Sequence, residues 1–455
     1  MNNLDNFRPY RPIGIDLFSG AGGLSLGFEQ AGFDIVAAVE VDPVHAAVHK
    51  YNFPDCVVFP LSVSDLTGEE IRRKANIGDR RVDVVFGGAP CQGFSLIGHR
   101  AFDDPRNSLV REFVRIVKEL DASYFVFENV KGLTVGKHRK FLEEVIEAFS
   151  DIGYRVRLPW QVLNASHYGV PQDRERLILL GAKKGIRLPD YPDALTKPAG
   201  TPSLLFSLPK GPSCMDALDD LPDAGEFPEL SHSDSVATDR WGMPSVYARR
   251  LRCEEAADWH FGYPRSGWDR MTLTSSMLTD HTDISRRRFE RTEQGDVEPI
   301  SRFFKLPSRG ISNTLRAGTD ASRGAFTSPR PIHYKYQRCV TVREMARLHG
   351  FPDWFRFHAT KWHGARQVGN SVPPPLAQAV ASKVIEALEI LPTRPENAIQ
   401  LGDPSLLRFD MTRAANYWGV QVPVGRRDRK SGMKKRKQEE IETMMEPDLE
   451  EVSYG

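Results

Sequence analysis

Residues 13 to about 183 alternate short apolar runs with helical patterns, and no other feature of the chain constrains its fold as strongly. The apolar runs of β type predict strands at Ile13–Phe18, Ile35–Val39, Val82–Phe86, Tyr124–Phe127 and Leu177–Leu180. The stretches between them predict helices at Leu24–Ala31, Val44–Tyr51, 108–120 and 139–150. Gly32 is placed to end the first helix. This alternation predicts an α/β fold with a doubly wound, mostly parallel sheet and helices on both faces.

At 455 residues the chain is long enough for more than one domain. Residues 10–183 form the predicted first domain. In 184–330 prolines, glycines and short apolar pieces replace the clean periodicity, which indicates a second, smaller domain rich in loops and short strands. Helical patterns return in 331–395, and we expect the last helix of this segment to pack on the first domain. Residues 396–455 are predicted to be a flexible tail, because a block with eight Lys or Arg precedes an acidic block.

The composition is that of an ordinary globular protein, with 40% hydrophobic and 27% charged residues. No apolar run approaches the roughly 20 residues of a membrane helix, and the N-terminus has neither a basic start nor an apolar core. A cytoplasmic protein with no membrane association is therefore expected. The five cysteines are far apart and include no Cys-x-x-Cys pair. This spacing argues against a disulfide scaffold and a structural zinc site, and no metal is predicted.

A formal net charge of +1 does not by itself indicate a partner that is a polyanion. Two local stretches, 247–252 and 285–291, are nevertheless basic with aromatic residues nearby, which is typical of nucleic-acid contacts. Arginines that only meet solvent are the alternative interpretation of each stretch.

A glycine-rich turn follows the first predicted strand, with the sequence Asp16-Leu17-Phe18-Ser19-Gly20-Ala21-Gly22-Gly23. Glu40 ends the second strand, at the position where nucleotide-binding α/β folds place a carboxylate on the ribose hydroxyls. The order Gly-x-Gly-Gly differs from the Gly-x-Gly-x-x-Gly of dinucleotide sites, and no basic residue is near to bind a phosphate. S-adenosylmethionine therefore fits better than a nicotinamide cofactor, with Phe18 against its adenine or sulfonium.

A lone cysteine, Cys91, follows the strand Val82–Phe86 in the sequence Pro90-Cys91-Gln92-Gly93-Phe94-Ser95. A strand that ends in small residues and then presents a thiol suits a nucleophile, because the strand sets the position of the sulfur and the glycines admit a substrate. A small buried hydrophobe is the alternative interpretation of this cysteine.

Five motifs in this order resemble those of the cytosine-5 DNA methyltransferases of bacterial restriction–modification systems. They are Asp16–Gly23, Gly88-Ala89-Pro90-Cys91-Gln92-Gly93-Phe94-Ser95, Phe127-Glu128-Asn129-Val130, Gln172-Asp173-Arg174-Glu175-Arg176 and Gln367-Val368-Gly369-Asn370-Ser371-Val372-Pro373-Pro374. The resemblance covers roughly residues 13–390. It implies an S-adenosylmethionine methyltransferase of class I that methylates C5 of a specific cytosine in double-stranded DNA. It also implies that residues 184–330 recognise the target sequence and that the target base is flipped out of the duplex.

The resemblance also assigns the catalytic roles. Cytosine C5 is a poor nucleophile until a thiolate adds to C6, and Cys91 is the expected thiolate. Glu128 is the expected acid at cytosine N3, for which its pKa should lie above that of a free glutamate. Arg174 and Arg176 alternate on a strand-like segment, and both are expected to hold the cytosine O2 and help to position Glu128. The segment Ser95–Asn107 is expected to close on the DNA as a lid.

The residues expected at the cofactor are Phe18, Ser19, Gly20, Gly22, Gly23, Glu40, Val41, Pro90, Asn370 and Ser371. Two positions depart from the family pattern. Ser62 stands where an acidic residue commonly meets the adenine amino group, with Asp65 slightly beyond, and Val41 stands where a larger side chain often packs.

The DNA contacts are expected from arginines in 249–252, 286–291 and 302–330, although the sequence does not tell which of them read bases. A monomer with a cognate restriction endonuclease that acts separately is the expected arrangement. Three alternatives stay open at this point: the same chemistry on tRNA, a non-catalytic DNA-binding regulator with this fold, and a nicotinamide oxidoreductase. The long, arginine-rich second domain favours DNA over RNA, and a regulator would need neither Cys91 nor Glu128.

Overall fold

The computed structural model of the protein describes residues 11–90, 107–136, 138–201, 208–255, 260–318 and 329–422. Its strands are β1 (Ile13–Leu17), β2 (Asp34–Val39), β3 (Val57–Phe59), β4 (Val84–Gly87), β5 (Tyr124–Val130), β6 (Tyr154–Val156), β7 (Gln161–Asn164), β8 (Glu175–Lys183), β9 (Val236–Ala237), β10 (Arg265–Ser266), β11 (Thr272–Leu273) and β12 (Ile399–Gln400). Its helices are α1 (Gly23–Ala31), α2 (Pro43–Asn52), α3 (Gly68–Lys74), α4 (Ser108–Glu119), α5 (His138–Asp151), α6 (Cys214–Leu218), α7 (Val246–Leu251), α8 (Asp283–Arg291), α9 (Val342–His349), α10 (Lys361–Asn370), α11 (Pro374–Leu388) and α12 (Met411–Trp418).

A central sheet of eight strands has the order β3-β2-β1-β4-β5-β8-β6, with β7 also paired to β8. The strands β1 to β5 pair in parallel. Every strand and helix predicted between residues 13 and 183 is present, with ends that shift by a few residues. Gly32 ends α1 in a left-handed conformation with φ 114°. The predicted doubly wound, mostly parallel sheet is therefore confirmed.

The strand β8 runs antiparallel to its neighbours β5, β6 and β7. The connection from Asn164 at the end of β7 to Glu175 at the start of β8 is shorter than the dozen or so residues that a parallel crossover needs. The chain therefore returns beside β7 in the opposite direction. The sequence pattern missed the helix α3 and the strands β3, β6 and β7, which have only 3, 3 and 4 residues.

Alternate residues of the central strands point to opposite faces of the sheet, and each face has its own apolar core. On one face the ring of Phe86 stacks on Phe28 of α1, with 3.7 Å between the ring centroids. On the other face Phe125 stacks on Phe149 of α5, also at 3.7 Å. The covering helices are short, and none within the described ranges is long and apolar enough to cross a membrane.

The helix α11 lies against α1, although the two are far apart in the sequence. Their backbones approach so closely that a Cβ atom at Gly27 would overlap the Cβ of Ala377. The hydroxyl of Tyr124 in β5 donates a hydrogen bond to the carbonyl oxygen of Ala387 (2.9 Å), which ties the end of α11 to the sheet. The covering of α1 is therefore completed by residues from the C-terminal part of the chain.

The region between β8 and α9 has only short helices and strands of two residues, and buried ion pairs contribute to its packing against α9. Arg347 of α9 has a fully buried side chain. Its guanidinium lies 3.1 Å from Asp220 Oδ1 and 2.6 Å from Asp353 Oδ1. The apolar core on this side also continues from the sheet into residues of this region, and the domain boundaries at 183, 330 and 395 stay predictions.

The prediction of a flexible tail from residue 396 is wrong for 396–422. Residues of β12 pair in parallel with β10, and the indole Nε1 of Trp418 in α12 donates to the carbonyl oxygen of Pro43 (3.1 Å). Three leucines of this segment are buried: Leu401, Leu406 and Leu407. They are too few to form a recognisable period, and their partners lie far away in the sequence. Both charge blocks of the tail lie outside the described residues.

We predict that Arg347→Met destabilises the protein by about 3–5 kcal/mol, because two buried carboxylates lose the cation that is hydrogen-bonded to both and keep only the more distant Arg252 and Arg343, each 3.6 Å away. The free energy of unfolding from urea titration measures this loss. Arg413→Met is the matched control, since Arg413 is exposed on α12. A loss below about 1 kcal/mol, which is the usual size for a surface change, would contradict the structural role of Arg347.

Candidate active site

A cavity of about 670 Å³ opens at the carboxyl ends of β1, β2, β4 and β5, which is where open α/β sheets bind ligands. Its walls come from residues within 18–24, 39–45, 61–63, 88–90, 128–130 and 366–372, together with Leu109 and Arg176. The predicted site residues that line it are Phe18, Ser19, Gly20, Gly23, Glu40, Val41, Pro90, Glu128, Arg176, Asn370 and Ser371. Gly22 and Arg174 lie behind its walls, and Cys91 lies outside the described residues.

The turn from β1 into α1 leaves room that only glycine permits. Gly22 has φ 104°, and a Cβ atom there would lie 2.5 Å from the ring of Phe53. A Cβ atom at Gly23 would lie 2.5 Å from the carbonyl oxygen of Val372. The backbone of the turn can therefore approach both the protein behind it and a ligand in front of it. Phe18 also has a positive φ, of 64°, which turns the chain out of β1.

Glu40 connects the glycine turn to the start of α2. Its carboxylate accepts hydrogen bonds from the backbone N–H groups of Gly20 (2.8 Å) and Asp42 (2.9 Å). Each oxygen keeps a second lone pair for a ligand hydroxyl. Burial raises the pKa of Glu40, while the nearby His45 opposes this rise. Val41 is 58% exposed at the rim of the cavity and covers little of it.

Glu128 and Arg176 form an ion pair at the opposite end of the cavity. Arg176 Nε lies 2.8 Å from Glu128 Oε1, and both side chains are largely buried. Burial raises the pKa of Glu128, and the charges of Arg176 and Arg174 oppose this rise. A Cβ atom at Gly88 would overlap Glu128 Oε2, so the carboxylate lies directly against the backbone after β4. A carboxyl group in this position has the raised pKa expected of a general acid.

The amide of Asn129 ties the same two strands together. Its Nδ2 donates to the carbonyl oxygen of Ala89 (2.9 Å), two residues before Cys91. Pro90 is exposed at the cavity. Pro90, the last described residue before the predicted nucleophile, therefore directly follows a carbonyl group that is held by a hydrogen bond.

Arg174 lies deeper than Arg176, although the sequence predicts both at the cytosine. Its guanidinium is buried and donates to the carbonyl oxygens of Leu315 (3.0 Å), Gly369 (2.8 Å) and Ser371 (2.8 Å). These acceptors belong to two segments that are distant in the sequence. The contacts of Arg174 are thus those of a residue that positions the cavity wall, whereas Arg176 faces the cavity.

Sequence reasoning missed the part that His349 plays behind the wall. His349 Nε2 lies 3.0 Å from the carbonyl oxygen of Ser371, and its Nδ1 lies 2.9 Å from Gln172 Nε2. Burial and the charge of Arg174 hold the pKa of His349 well below its usual value. The neutral ring with a proton on Nε2 satisfies both contacts, since Gln172 then donates to Nδ1. In the sequence His349 stands before Gly350, a pair that indicates only the end of a helix.

The departures from the family pattern also have a place in the structure. Ser62 lines the cavity, whereas Asp65 is exposed and does not. Asp42 and His45 line the cavity as well, without a motif to mark them, and His45 Nε2 lies 4.0 Å from Asp42 Oδ2. Within the described part of the chain, no three His, Cys, Asp or Glu side chains are arranged to hold a metal ion.

Comparison with known proteins agrees with this geometry. The family model of the C-5 cytosine-specific DNA methylases matches residues 13–386. The chain belongs to this family. Both ends of the cavity, the glycine turn and the Glu128–Arg176 pair, fall within the matched residues of this DNA cytosine-5 methyltransferase. The predicted resemblance and enzyme class are confirmed, and a nicotinamide oxidoreductase is excluded.

Relatives of this methylase cover most of its length. M.XorII, a type II methyltransferase of Xanthomonas oryzae pv. oryzae, is 59% identical over 91% of this chain and 94% of its own. M1.HphI, a type II methyltransferase of Haemophilus parahaemolyticus, is 34% identical over 82% of this chain and 86% of its own. Among solved structures, a putative DNA modification methyltransferase encoded within an E. coli prophage is 33% identical. It covers 83% of this chain and 100% of its own, with a TM-score of 0.65.

We predict that Gly88→Ala lowers the rate of methyl transfer by about 100-fold, because the added methyl group displaces the Glu128 carboxylate. Initial rates on methylatable DNA measure the loss. Gly132→Ala is the control, since the nearest atom to a Cβ there is 3.9 Å away. Equal activity of the two variants would show that Glu128 does not need its place against the β4 turn.

Proposed function

We propose that this methylase transfers a methyl group from S-adenosylmethionine to C5 of a specific cytosine in double-stranded DNA. The proposal includes base flipping and a covalent bond between Cys91 and cytosine C6. The observation that carries it is one continuous cavity with a carboxylate for a nucleoside at one end and the Glu128–Arg176 pair at the other.

The cavity fits the proposed cofactor. The glycine turn presents backbone rather than side chains, and Glu40 offers free lone pairs for ribose hydroxyls. Phe18, Val41 and Pro90 supply apolar contacts, while the backbone near Ser19, Gly20 and Asn370 supplies polar ones. Bound S-adenosylmethionine supplies a methyl group on a cationic sulfur. Gly22 and Gly23 act by leaving room for the turn.

The remaining steps belong to side chains of this protein. The thiolate of Cys91 adds to cytosine C6, and the electrons of the C5–C6 double bond move into the ring. Glu128 in its protonated form donates to N3 as this charge develops. C5 then takes the methyl group, whose bonding electrons stay with the donor, and N3 returns its proton to Glu128. A solvent water takes the proton from C5. The thiolate leaves as the C5–C6 double bond forms again.

Arg176 holds Glu128 in place and is available to cytosine O2, because a guanidinium carries several donors in one plane. Arg174 acts through the backbone of Leu315, Gly369 and Ser371, and we assign it as a positioning residue. A base inside a duplex cannot reach Glu128 in this enclosed position, which supports base flipping. Residues 95–106 of the proposed lid, Ser95–Asn107, lie outside the described part of the chain.

The arginines expected to contact DNA divide into two groups. In 249–252, Arg249 pairs with Glu255 (2.5 Å), and Arg252 pairs with Glu254 (2.8 Å). By contrast, Arg287 and Arg291 are exposed one turn apart on α8. Neither makes an ion pair with any described residue.

The unpaired arginines continue toward the active site. Arg302, Arg309 and Arg316 are exposed as well, and Arg316 follows Leu315, whose carbonyl oxygen binds Arg174. We therefore propose the face from α8 to Arg316 as the surface that meets DNA phosphates, with 249–252 mainly structural.

We propose further that the methylase acts as a cytoplasmic monomer beside a separate restriction endonuclease. The names of its relatives as type II methyltransferases support the part of this proposal that concerns a restriction–modification system.

We predict that Cys91→Ser lowers methyl transfer by about three orders of magnitude or more while DNA binding is kept, because the reacting atom is lost. Wild-type protein should form a stable adduct with duplex DNA that carries 5-fluorocytosine at the target. Denaturing gel electrophoresis detects the adduct. Ordinary cytosine is the control, and an adduct with Cys91→Ser would exclude Cys91 as the attacking atom.

We predict that Arg287→Ala with Arg291→Ala weakens DNA binding and lowers the slope of log affinity against log salt by about 2. Fluorescence anisotropy of a labelled duplex over a range of KCl concentrations measures the slope. The matched control is Arg240→Ala with Arg249→Ala, which removes the same charge from arginines that already pair with Glu226 and Glu255. The assignment of the DNA face fails if both double variants change the slope equally.

A further inference from the structure

Three buried polar side chains form a cluster directly behind the glycine turn. They are Asp16 at the end of β1, Ser25 in α1 and His49 in α2, and none of them is exposed. Ser25 Oγ lies 2.6 Å from Asp16 Oδ2 and 3.1 Å from His49 Nε2. The hydroxyl therefore connects the carboxyl group to the imidazole.

The cluster has a carboxyl group, and no cation from the described ranges pairs with it. Asp16 Oδ1 and His49 Nδ1 are sealed from solvent and have no hydrogen-bond partner in the described part of the protein. An ionised carboxylate in such a place is costly, and the group stays neutral instead. Burial accordingly raises the pKa of Asp16 to about 8 and lowers that of His49 to about 3. In the cluster Ser25 Oγ donates to Asp16 Oδ2, and a neutral His49 with its proton on Nε2 donates to the Ser25 hydroxyl.

The cluster lies close to the proposed cofactor. Ser19, Gly20 and Leu24, which line the cavity, are neighbours of Asp16 and Ser25 in the sequence. At Gly22 a Cβ atom would lie 3.1 Å from His49 Cδ2, so the imidazole packs against the turn itself.

Three other titratable groups face the cluster. Glu40 lines the cavity and its charge raises the pKa of Asp16. Lys50 of α2 acts on His49, and the thiol of Cys56 is near Asp16. A negative charge at Glu40 thus disfavours ionised Asp16, and a positive charge in the cavity has the opposite effect.

We infer that a cationic methyl donor in this cavity drives one proton from Asp16 to solvent, whereas the neutral thioether product does not. The inference rests on the proposed function. Binding of the sulfonium converts the Asp16 carboxylic acid to a carboxylate and releases a proton. Methyl transfer removes the positive charge from sulfur, and the carboxylate takes a proton up again. The cluster thereby favours the donor over the product by charge.

The pH dependence follows from the raised pKa of Asp16. Below about pH 8 the acid is protonated in the free protein, and binding of the donor must release the proton. Donor affinity therefore rises with pH and levels off above that value, where Asp16 is already ionised. Product affinity should change little over the same range, because no charge is added.

Isothermal titration calorimetry tests the inference on the full-length protein with S-adenosylmethionine and S-adenosylhomocysteine. Each ligand is titrated in phosphate and in Tris at neutral pH, because the two buffers differ in their enthalpy of protonation. The binding enthalpy of the donor should depend on the buffer and correspond to the release of a large fraction of one proton. The enthalpy of the product should not depend on the buffer.

Asp16→Asn keeps the shape of the side chain and removes the proton. This variant should abolish the buffer dependence of the binding enthalpy. Its affinity for the donor should fall by about tenfold, the equivalent of one pKa unit, while its affinity for the product stays unchanged. Asp65→Asn is the matched control, because Asp65 is exposed outside the cavity. Full proton release by Asp16→Asn would overturn the assignment to Asp16 and point to Glu40.

Other outcomes separate this inference from the proposed function. If wild-type protein binds neither ligand, the proposed cofactor is wrong. If it binds both with buffer-independent enthalpies, the cofactor stands and the proton coupling is overturned. Should Asp16→Asn fail to fold, Ser25→Ala replaces it, and the pH at which donor affinity levels off should rise because Asp16 loses a hydrogen bond. An unchanged pH profile of Ser25→Ala would also overturn the coupling.

Discussion

The buried guanidinium of Arg174 holds together the parts of the chain on which the active site depends. It binds carbonyl oxygens of Leu315, Gly369 and Ser371, which arrive from two segments far along the sequence. His349 adds a second contact to Ser371 from α9. These bonds fix the wall that carries Asn370 relative to β8 and its Arg176. An unpaired guanidinium in this position would also be costly, which makes the arrangement close to all-or-none.

Two buried carboxylates stand at opposite ends of one cavity, and their surroundings give them different tasks. Glu40 is held by two backbone N–H groups, and no cation contacts it among the residues that the structure describes. Glu128 is held by the Arg176 guanidinium and by the close backbone of Gly88. Hydrogen bonds from the backbone suit a group that accepts from ligand hydroxyls throughout the reaction. A proton that can move to the substrate suits Glu128, because the target cytosine and the charge that develops on it would lie beside this carboxyl group.

The sequence was sufficient for the longer strands and helices of the first half of the fold, because these carry their own apolar pattern and caps, such as Gly32 after α1. It missed β3, β6 and β7, which are too short to show a period. It failed for 396–422, where the order depends on partners such as Pro43 that no local pattern reveals. At the site, the motifs located the cavity residues from Phe18 to Ser371. The alternation of Arg174 and Arg176 suggested a common direction but not a difference in depth. The difference in depth depends on the carbonyl oxygens that bind Arg174, which belong to residues far along the sequence.

The packing of α11 on α1 has a consequence for synthesis on the ribosome. The helix α1 is buried on all sides in the finished protein, and Gly27 and its neighbours are covered only when α11 has been made. At ordinary elongation rates this takes on the order of tens of seconds. During that time the nascent sheet exposes an apolar strip next to the glycine turn. Holding chaperones recognise such surfaces. The yield of folded enzyme in a cell should therefore depend on these chaperones more strongly than the free energy of unfolding of the complete protein indicates.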